Sequence, residues 1–209
     1  MRENPFNIYT TEYENWFKKN DNLFRSELLC LKKLIPIEKR GVEIGVGSGI
    51  FAKELGIRFG IDPSENMLKL AEKRGIKTDC GFAENLPYKE NSFDFAVFIT
   101  SLCFITDPLK AFKEAYRIVH KKGSLIVAFI DKNSFLGRTI ESEKSKSKFY
   151  KNAKLYSTKE VVSLMEESNF VVTDIFQTLT NIKNIEIEEP TRGFGEGSFV
   201  VIRGESNQI

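Results

Sequence analysis

The sequence contains few of the residues that build metal centres or disulfide frameworks. Only three cysteines occur in 209 residues, and Cys30, Cys80 and Cys103 stand far apart with no C-x-x-C pair. We therefore predict free thiols in a cytoplasmic protein, and neither disulfides nor a metal site.

Long apolar runs and a strong excess of one charge are also absent. No uninterrupted apolar stretch is long enough to span a bilayer, and the polar N-terminus lacks a signal-peptide core. The net charge of +2 gives no reason to expect nucleic acid or an anionic membrane as a partner. The length suits a single domain over residues 1–209, and nothing in the sequence indicates an oligomeric state.

What the sequence does contain is a short apolar run that ends in three alternating glycines. A strand is predicted near residues 41–45, its end and the turn that follows carry Gly45, Gly47 and Gly49, and a helix is predicted near residues 48–55. Strand, glycine turn and helix form a unit that binds cofactors. Glycine permits positive φ and a close approach of the ligand to the backbone. Packing of the turn alone would also explain these glycines, and it stays an alternative.

Two acids favour the cofactor interpretation. Glu43 lies two residues before Gly45, and Asp62 ends the second predicted strand, where an acid can bind both hydroxyls of a ribose. Such a ribose belongs to a nicotinamide dinucleotide or to S-adenosylmethionine. Dinucleotide sites favour G-x-G-x-x-G, but Ile50 occupies the place of the last glycine. The G-x-G-x-G spacing and Glu43 resemble motif I of class I S-adenosylmethionine-dependent methyltransferases, which leaves a NAD-dependent oxidoreductase as the weaker alternative.

The resemblance extends over roughly residues 40–131. The segments that carry it, in order and at family-like spacing, are 59–68, 81–88, 91–97, 107–112 and 119–127. They resemble the ubiquinone/menaquinone-biosynthesis-like branch, methyltransferase type 11. The resemblance implies S-adenosyl-L-methionine as the cofactor and in-line methyl transfer to an acceptor. The amide-methylating Asn/Asp-Pro-Pro-aromatic signature is missing at 99–103, which favours a small-molecule acceptor. A non-catalytic module that binds S-adenosylmethionine is the alternative.

The resemblance also implies a set of cofactor-binding residues. They are Tyr13, Glu43, Gly45, Gly47, Gly49, Asp62, Ala83 and Thr100. Within this set, Glu43 and Gly45 would hold the methionyl end and Asp62 the ribose, while Thr100 would lie beside the transferred methyl group. Family members often carry an acid at the position of Phe82, so here the backbone N–H of Ala83 is expected to bind the adenine edge.

The sequence identifies no catalytic base. Asp131, Tyr13 and Tyr150 are candidates, and a structural role is the favoured interpretation of each. The single histidine, His120, precedes the fifth predicted strand. Since ligands bind at the carboxyl ends of parallel strands, His120 is expected at the opposite edge of the sheet from Gly45.

The alternation of strands and helices over 37–131 predicts a Rossmann-like, doubly wound α/β fold. We expect a mostly parallel, seven-stranded sheet with a terminal antiparallel strand pair. The predicted elements are strands at 41–45, 57–61, 76–80, 93–99 and 124–130, and helices at 48–55, 64–74 and 108–119. Residues 157–209 are expected to add a helix and the antiparallel pair.

Two segments flank this core. Residues 1–36 predict a helical cap with helices at 9–19 and 21–34, and residues 13–17 resemble the Tyr-x-x-Trp segment that covers the cofactor in related methyltransferases. The aromatic side chains of this cap would otherwise anchor it to the core. Residues 132–156 are polar and predict a solvated helix or mobile insertion. The alternative is that this insertion contributes Phe135, Phe149 or Tyr150 to an acceptor pocket.

Overall fold

The computed structural model describes residues 5–183 and 185–207, which fold around one mixed sheet. Its strand order is β3-β2-β1-β4-β5-β8-β6-β7. The strands are β1 (Gly41–Ile44), β2 (Phe59–Asp62), β3 (Lys77–Cys80), β4 (Phe93–Ile99), β5 (Val119–Ile130), β6 (Phe170–Thr178), β7 (Thr191–Arg192) and β8 (Phe199–Ser206).

Helices precede, connect and follow these strands. They are α1 (Pro5–Ile8), α2 (Thr10–Lys19), α3 (Asp21–Lys32), α4 (Ile50–Leu55), α5 (Glu65–Lys73), α6 (Pro108–Ile118), α7 (Phe135–Glu143) and α8 (Thr158–Glu167). Their starts follow local sequence signals. The Asp107 side chain accepts a hydrogen bond from the backbone N–H of Lys110, and Ser157 and Glu160 form a capping box at α8.

The predicted topology is confirmed, with two differences in detail. β1 to β5 are parallel to one another, and β8 pairs antiparallel with both β5 and β6. The short β7 pairs with β6, so the sheet has eight strands where the sequence predicts seven. β5 begins at Val119, not at residue 124, because Val119 already pairs with Phe93 before the register shifts.

Apolar side chains cover both faces of the sheet. Phe95, Val97 and Ile99 of β4 pack into a cluster with residues of α3, α4 and α5. Ala96 and Phe98, which alternate with them, pack on the other face with residues of α6 and α8. Burial of both faces is typical of a parallel strand at the centre of a doubly wound sheet.

The carboxyl ends of the parallel strands gather the residues that the sequence singles out. Gly45, Asp62 and Thr100 follow or end β1, β2 and β4 at this edge. His120 is exposed near the start of β5, at the opposite edge, as predicted. Among the described residues, no helix has the length and apolar character needed to cross a membrane.

Candidate cofactor site

The three glycines of the turn after β1 differ in whether packing or ligand access explains them. All three glycines have positive φ, at 78° for Gly45, 51° for Gly47 and 74° for Gly49. A Cβ atom at Gly45 would lie 2.4 Å from the Cβ of Ser101, and one at Gly49 would lie 3.0 Å from the Cβ of Ala71. At Gly47 the nearest described atom is a hydroxyl oxygen 3.8 Å away. Packing therefore explains Gly45 and Gly49, whereas Gly47 leaves its backbone open to a ligand.

The packing role of Gly45 has a measurable consequence. Gly45→Ala is expected to reduce stability by about 1–3 kcal/mol more than Gly56→Ala, because the new methyl group displaces Ser101. Gly56 is the matched control, since its φ of 70° is similar and no atom lies within 4 Å of its added Cβ. Backbone strain alone should cost about 1–2 kcal/mol in both variants. Urea denaturation measures the difference, and equal losses would show that Ser101 does not restrict this turn.

Glu43 is a buried acid with an unused acceptor. Its side chain is 2% exposed, and its Oε2 atom has no hydrogen-bond partner among the described residues. Burial and then the nearby Asp62 raise the pKa of Glu43 well above its usual range, although the backbone N–H of Ala52 donates to it. An unsatisfied buried carboxylate oxygen is costly, so the group fits a cationic partner such as the methionyl ammonium of S-adenosylmethionine.

Asp62 joins the glycine turn to the loop after β2. One carboxylate oxygen accepts from the backbone N–H of Gly47 at 2.9 Å, and the other accepts from the backbone N–H of Ser64 at 2.8 Å. Burial raises the pKa of Asp62, and these two bonds oppose that rise. Each oxygen keeps a further lone pair. The carboxylate is thus fixed in place and still able to accept from two ribose hydroxyls.

The N-terminal helices α1 and α2, here called the lid, lie against these residues. The hydroxyl oxygen of Tyr13 is the atom that lies 3.8 Å from the Cβ position of Gly47. The pKa of Tyr13 is raised well above its usual range, chiefly by burial and then by Glu43, Tyr150 and Asp62. Tyr13 therefore lies with both acids at the glycine turn.

Hydrogen bonds fasten α1 to the start of α5, just after Asp62. The Ser64 hydroxyl donates to the side-chain oxygen of Asn7 at 2.6 Å, and the Asn66 side-chain amide donates to the backbone oxygen of Asn7 at 2.9 Å. Asn7 is not among the residues that the sequence singles out. No short-range pattern could identify it, because its partners lie 57 and 59 positions away.

A second connection runs from α2 to the glycine turn. Arg74, at the end of α5, forms an ion pair with Glu14 of the lid. The same guanidinium donates to the backbone oxygen of Ser48 at 2.8 Å. The Arg74 guanidinium therefore connects the lid, the glycine turn and α5, and it fixes α2 beside the site.

The adenine and methyl ends of the predicted site are built differently. Phe82 is 66% exposed, and Ala83 is half-buried against the cluster around α6. Thr100 has a φ of 51°, an uncommon value for a residue other than glycine and one that often marks a functional position. Thr100 lines a small, mostly apolar pocket together with Cys103 and Tyr150.

Aromatic rings from the lid and from residues 132–156 pack together next to this pocket. The ring centroids of Phe6 and Phe149 are 5.2 Å apart, those of Phe6 and Phe104 are 5.0 Å apart, and those of Phe104 and Tyr150 are 5.8 Å apart. Phe135, by contrast, is exposed. Of the three aromatic residues that the sequence singles out in the polar insertion, Tyr150 lines the pocket and Phe149 packs against Phe6 of the lid.

Comparisons with known proteins agree with this geometry. A methyltransferase domain family matches residues 42–127. A ubiquinone/menaquinone biosynthesis C-methyltransferase of Rickettsia akari is 38% identical over 73 residues, 31% of this chain and 29% of that protein.

Two other relatives span almost the whole chain. An uncharacterised protein of Methanocaldococcus jannaschii is 43% identical over 206 residues, covering 97% of this chain and 98% of that one. A solved structure from Thermotoga maritima is described as a SAM-dependent methyltransferase and possible histamine N-methyltransferase. It has 49% identity and a TM-score of 0.94, over 97% of this chain and 99% of that one. The chain belongs to the family of S-adenosylmethionine-dependent methyltransferases.

Proposed function

We propose that this enzyme methylates a small organic molecule that binds beside Thr100, under the lid. The observation that carries the proposal is the small, mostly apolar pocket lined by Thr100, Cys103 and Tyr150. The ring of Tyr150 packs on Phe104, which in turn packs on Phe6 of the lid. A macromolecular substrate would need a broad, open groove at this edge, whereas a small pocket fits a small molecule. The Thermotoga protein's description also names a small organic compound.

In this proposal, five of the predicted cofactor residues have separate tasks. Glu43 pairs with the methionyl ammonium, the open backbone at Gly47 lies along the cofactor, and Asp62 accepts from the ribose hydroxyls. The backbone N–H of Ala83 binds the adenine edge, and Tyr13 covers the cofactor from the lid. S-adenosylmethionine supplies an electrophilic methyl group when bound, so the protein's work is to position the acceptor and exclude water.

The structure favours an acceptor that needs no protein base. Asp131 accepts hydrogen bonds from the backbone N–H of Asn133 and from the backbone and hydroxyl of Thr158, so it holds β5 to α8. Burial raises the pKa values of Tyr13 and Tyr150, which keeps both hydroxyls protonated. The acceptor therefore supplies its own lone pair. A cytoplasmic location is part of the proposal and agrees with three free cysteines.

Asp62→Ala is expected to lower the affinity for S-adenosylhomocysteine about 10–100-fold, because charge-assisted bonds to the ribose are lost. Asp94→Ala is the control, since Asp94 also accepts from a backbone N–H, that of Arg40, but at the amino end of β4. Calorimetry on folded protein measures both. Affinity within twofold of wild type in Asp62→Ala would show that this acid does not hold the ribose.

Turnover distinguishes the enzyme from a non-catalytic binding module. S-adenosylmethionine with a labelled methyl group and a panel of amines, thiols and phenols should give labelled product with at least one of them. Tight binding of S-adenosylhomocysteine with no transfer to any small acceptor, but transfer to protein or RNA, would overturn the proposed substrate class.

A further inference from the structure

Arg74, at the end of α5, binds two separate segments of the site with one guanidinium group. One of its terminal nitrogens forms the ion pair with Glu14 of the lid. The other donates to the backbone oxygen of Ser48, in the middle of the glycine turn, at 2.8 Å. The planar fork of an arginine holds its donors in a fixed relation, which the single ammonium of a lysine cannot do. The position of the Glu14 carboxylate therefore depends on that of the Ser48 carbonyl.

In the glycine turn, this bond restrains the peptide that joins Ser48 to Gly49. The N–H of that peptide donates to the backbone oxygen of Val46 at 2.9 Å, and its carbonyl accepts from Arg74. Glycine loses more backbone freedom on ordering than any other residue, so a turn that contains Gly47 and Gly49 needs such restraints. Arg74 thus helps to keep the open backbone at Gly47 in one conformation.

On the lid, the same guanidinium binds a mostly buried carboxylate. One oxygen of Glu14 forms the ion pair with Arg74, and the other, Oε1, is buried and has no hydrogen-bond partner among the described residues. Glu14 directly follows Tyr13, whose hydroxyl oxygen lies 3.8 Å from the Cβ position of Gly47. By orienting Glu14, the guanidinium also holds Tyr13 beside the open backbone of the turn.

Net stability is a weak explanation for this ion pair. Removing two charges from water costs about as much as their attraction returns, so apolar side chains would hold α2 at least as firmly. Apolar contacts cannot, however, supply a directional hydrogen bond to the Ser48 carbonyl. The arrangement is therefore suited to joining two parts of the site, the lid and the turn.

We propose that Arg74 is a positioning residue for S-adenosylmethionine, which couples closure of the lid to ordering of the glycine turn. This inference rests on the proposed function, in which the backbone at Gly47 lies along the cofactor and Tyr13 covers it. Arg74 acts through Glu14 and Ser48 and does not itself contact the cofactor. A ligand that orders the turn favours the closed lid, and by reciprocity the closed lid raises the affinity for the ligand.

A double-mutant cycle in stability and affinity tests this coupling. Arg74→Met and Glu14→Met each leave one charge unpaired, so each should lower the free energy of unfolding measured by urea denaturation. The double variant replaces the pair by two apolar side chains and should regain most of that stability. Its affinity for S-adenosylhomocysteine, measured by calorimetry, should nevertheless stay about 10-fold below wild type, as in Arg74→Met alone.

Lys148→Met is the matched control, because Lys148 also pairs with an acid of α2, Glu12, at 2.9 Å. The side chains of that pair are 52% and 53% exposed, whereas those of Arg74 and Glu14 are 21% and 18% exposed. The control should bind S-adenosylhomocysteine within twofold of wild type. The inference is overturned if the double variant regains wild-type affinity together with its stability, or if Arg74→Met binds like the control.

Hydrogen exchange gives a second readout that does not depend on turnover. In wild type, S-adenosylhomocysteine should slow the exchange of amides in the first turn of α2. In the double variant saturated with the same ligand, these amides should exchange as quickly as in the free protein, because the turn and the lid are no longer joined. Equal protection by the ligand in both proteins would show that the lid closes without Arg74. Failure of every small acceptor in the turnover assay would overturn the proposed substrate class and leave this coupling intact.

Discussion

Between about pH 5 and about pH 8, wild type is expected to lose about 4 kcal/mol of unfolding free energy through Glu27, a buried acid of α3, and Glu27→Gln is expected to abolish this loss. The folded-state pKa of Glu27 is about 8, compared with its ordinary value of 4.5. The folded protein therefore holds this proton more tightly than the unfolded chain does. The resulting stability is complete below the unfolded pKa and is lost as the pH rises through the folded pKa. Each pH unit within this window is worth about 1.4 kcal/mol.

The comparison of two variants isolates this contribution. Urea denaturation at both pH values gives the change in unfolding free energy for wild type, Glu27→Gln and the exposed control Glu54→Gln. Wild type and the control should lose stability in parallel. Glu27→Gln should lose less, although some dependence persists because the pKa of buried Glu43 is also raised. If all three proteins lose stability equally, then Glu27 is not a protonated buried acid in the free enzyme.

Much of the site could be predicted from sequence because its parts are local patterns joined by a simple topological rule. The glycine spacing fixes the turn after β1, and an acid closes β2. Parallel strands bring their carboxyl ends to one edge, so Gly47 and Asp62 meet although they lie 15 positions apart. The same rule places His120 away from the site. None of these steps requires knowledge of side-chain packing.

The lid contacts could not be predicted because they join residues that no periodicity relates. Arg74 and Glu14 lie 60 positions apart and meet only once the lid has packed. Glu27 is a different case. Its spacing of three from Phe24 and four from Leu31 places it on the apolar stripe of α3, a signal that was present in the sequence. An acid on a buried helical stripe indicates a functional position or a partner. The apolar pattern by itself predicts only packing, so it does not identify this acid.

We expect the lid to combine the two roles that the sequence left open, an anchor to the core and a movable cover. Phe17 of α2 is buried in the core, where its ring packs with Phe24 and Phe51 at centroid distances of 5.1 and 5.7 Å. Trp16, its neighbour, is 44% exposed. α1 has no buried residue and is held to the sheet edge through Asn7. The end of α2 is therefore an anchor, and we expect α1, which buries no side chain, to be the part that opens.

Deleting residues 1–8 is expected to leave the protein folded and to reduce turnover about 100-fold or more. The fold should persist because the deletion keeps Phe17 and removes no buried side chain of α1. Turnover should fall because Phe6 and Asn7 no longer close the site, and a misplaced acceptor in a wet pocket reacts slowly. Trp16→Ala is the control, since it alters an exposed ring on the lid without opening α1, and its turnover should stay near wild type.

Hydrogen exchange tests the motion on which this result depends. Amides of α1 and of the first turn of α2 should exchange quickly in the free enzyme and slowly with S-adenosylhomocysteine, whereas amides around Phe17 should be protected in both states. Product must leave between turnovers, so a lid that never opens would itself limit the rate. Equal protection of α1 with and without ligand, together with unfolding of the deletion variant, would show that α1 is a fixed part of the core.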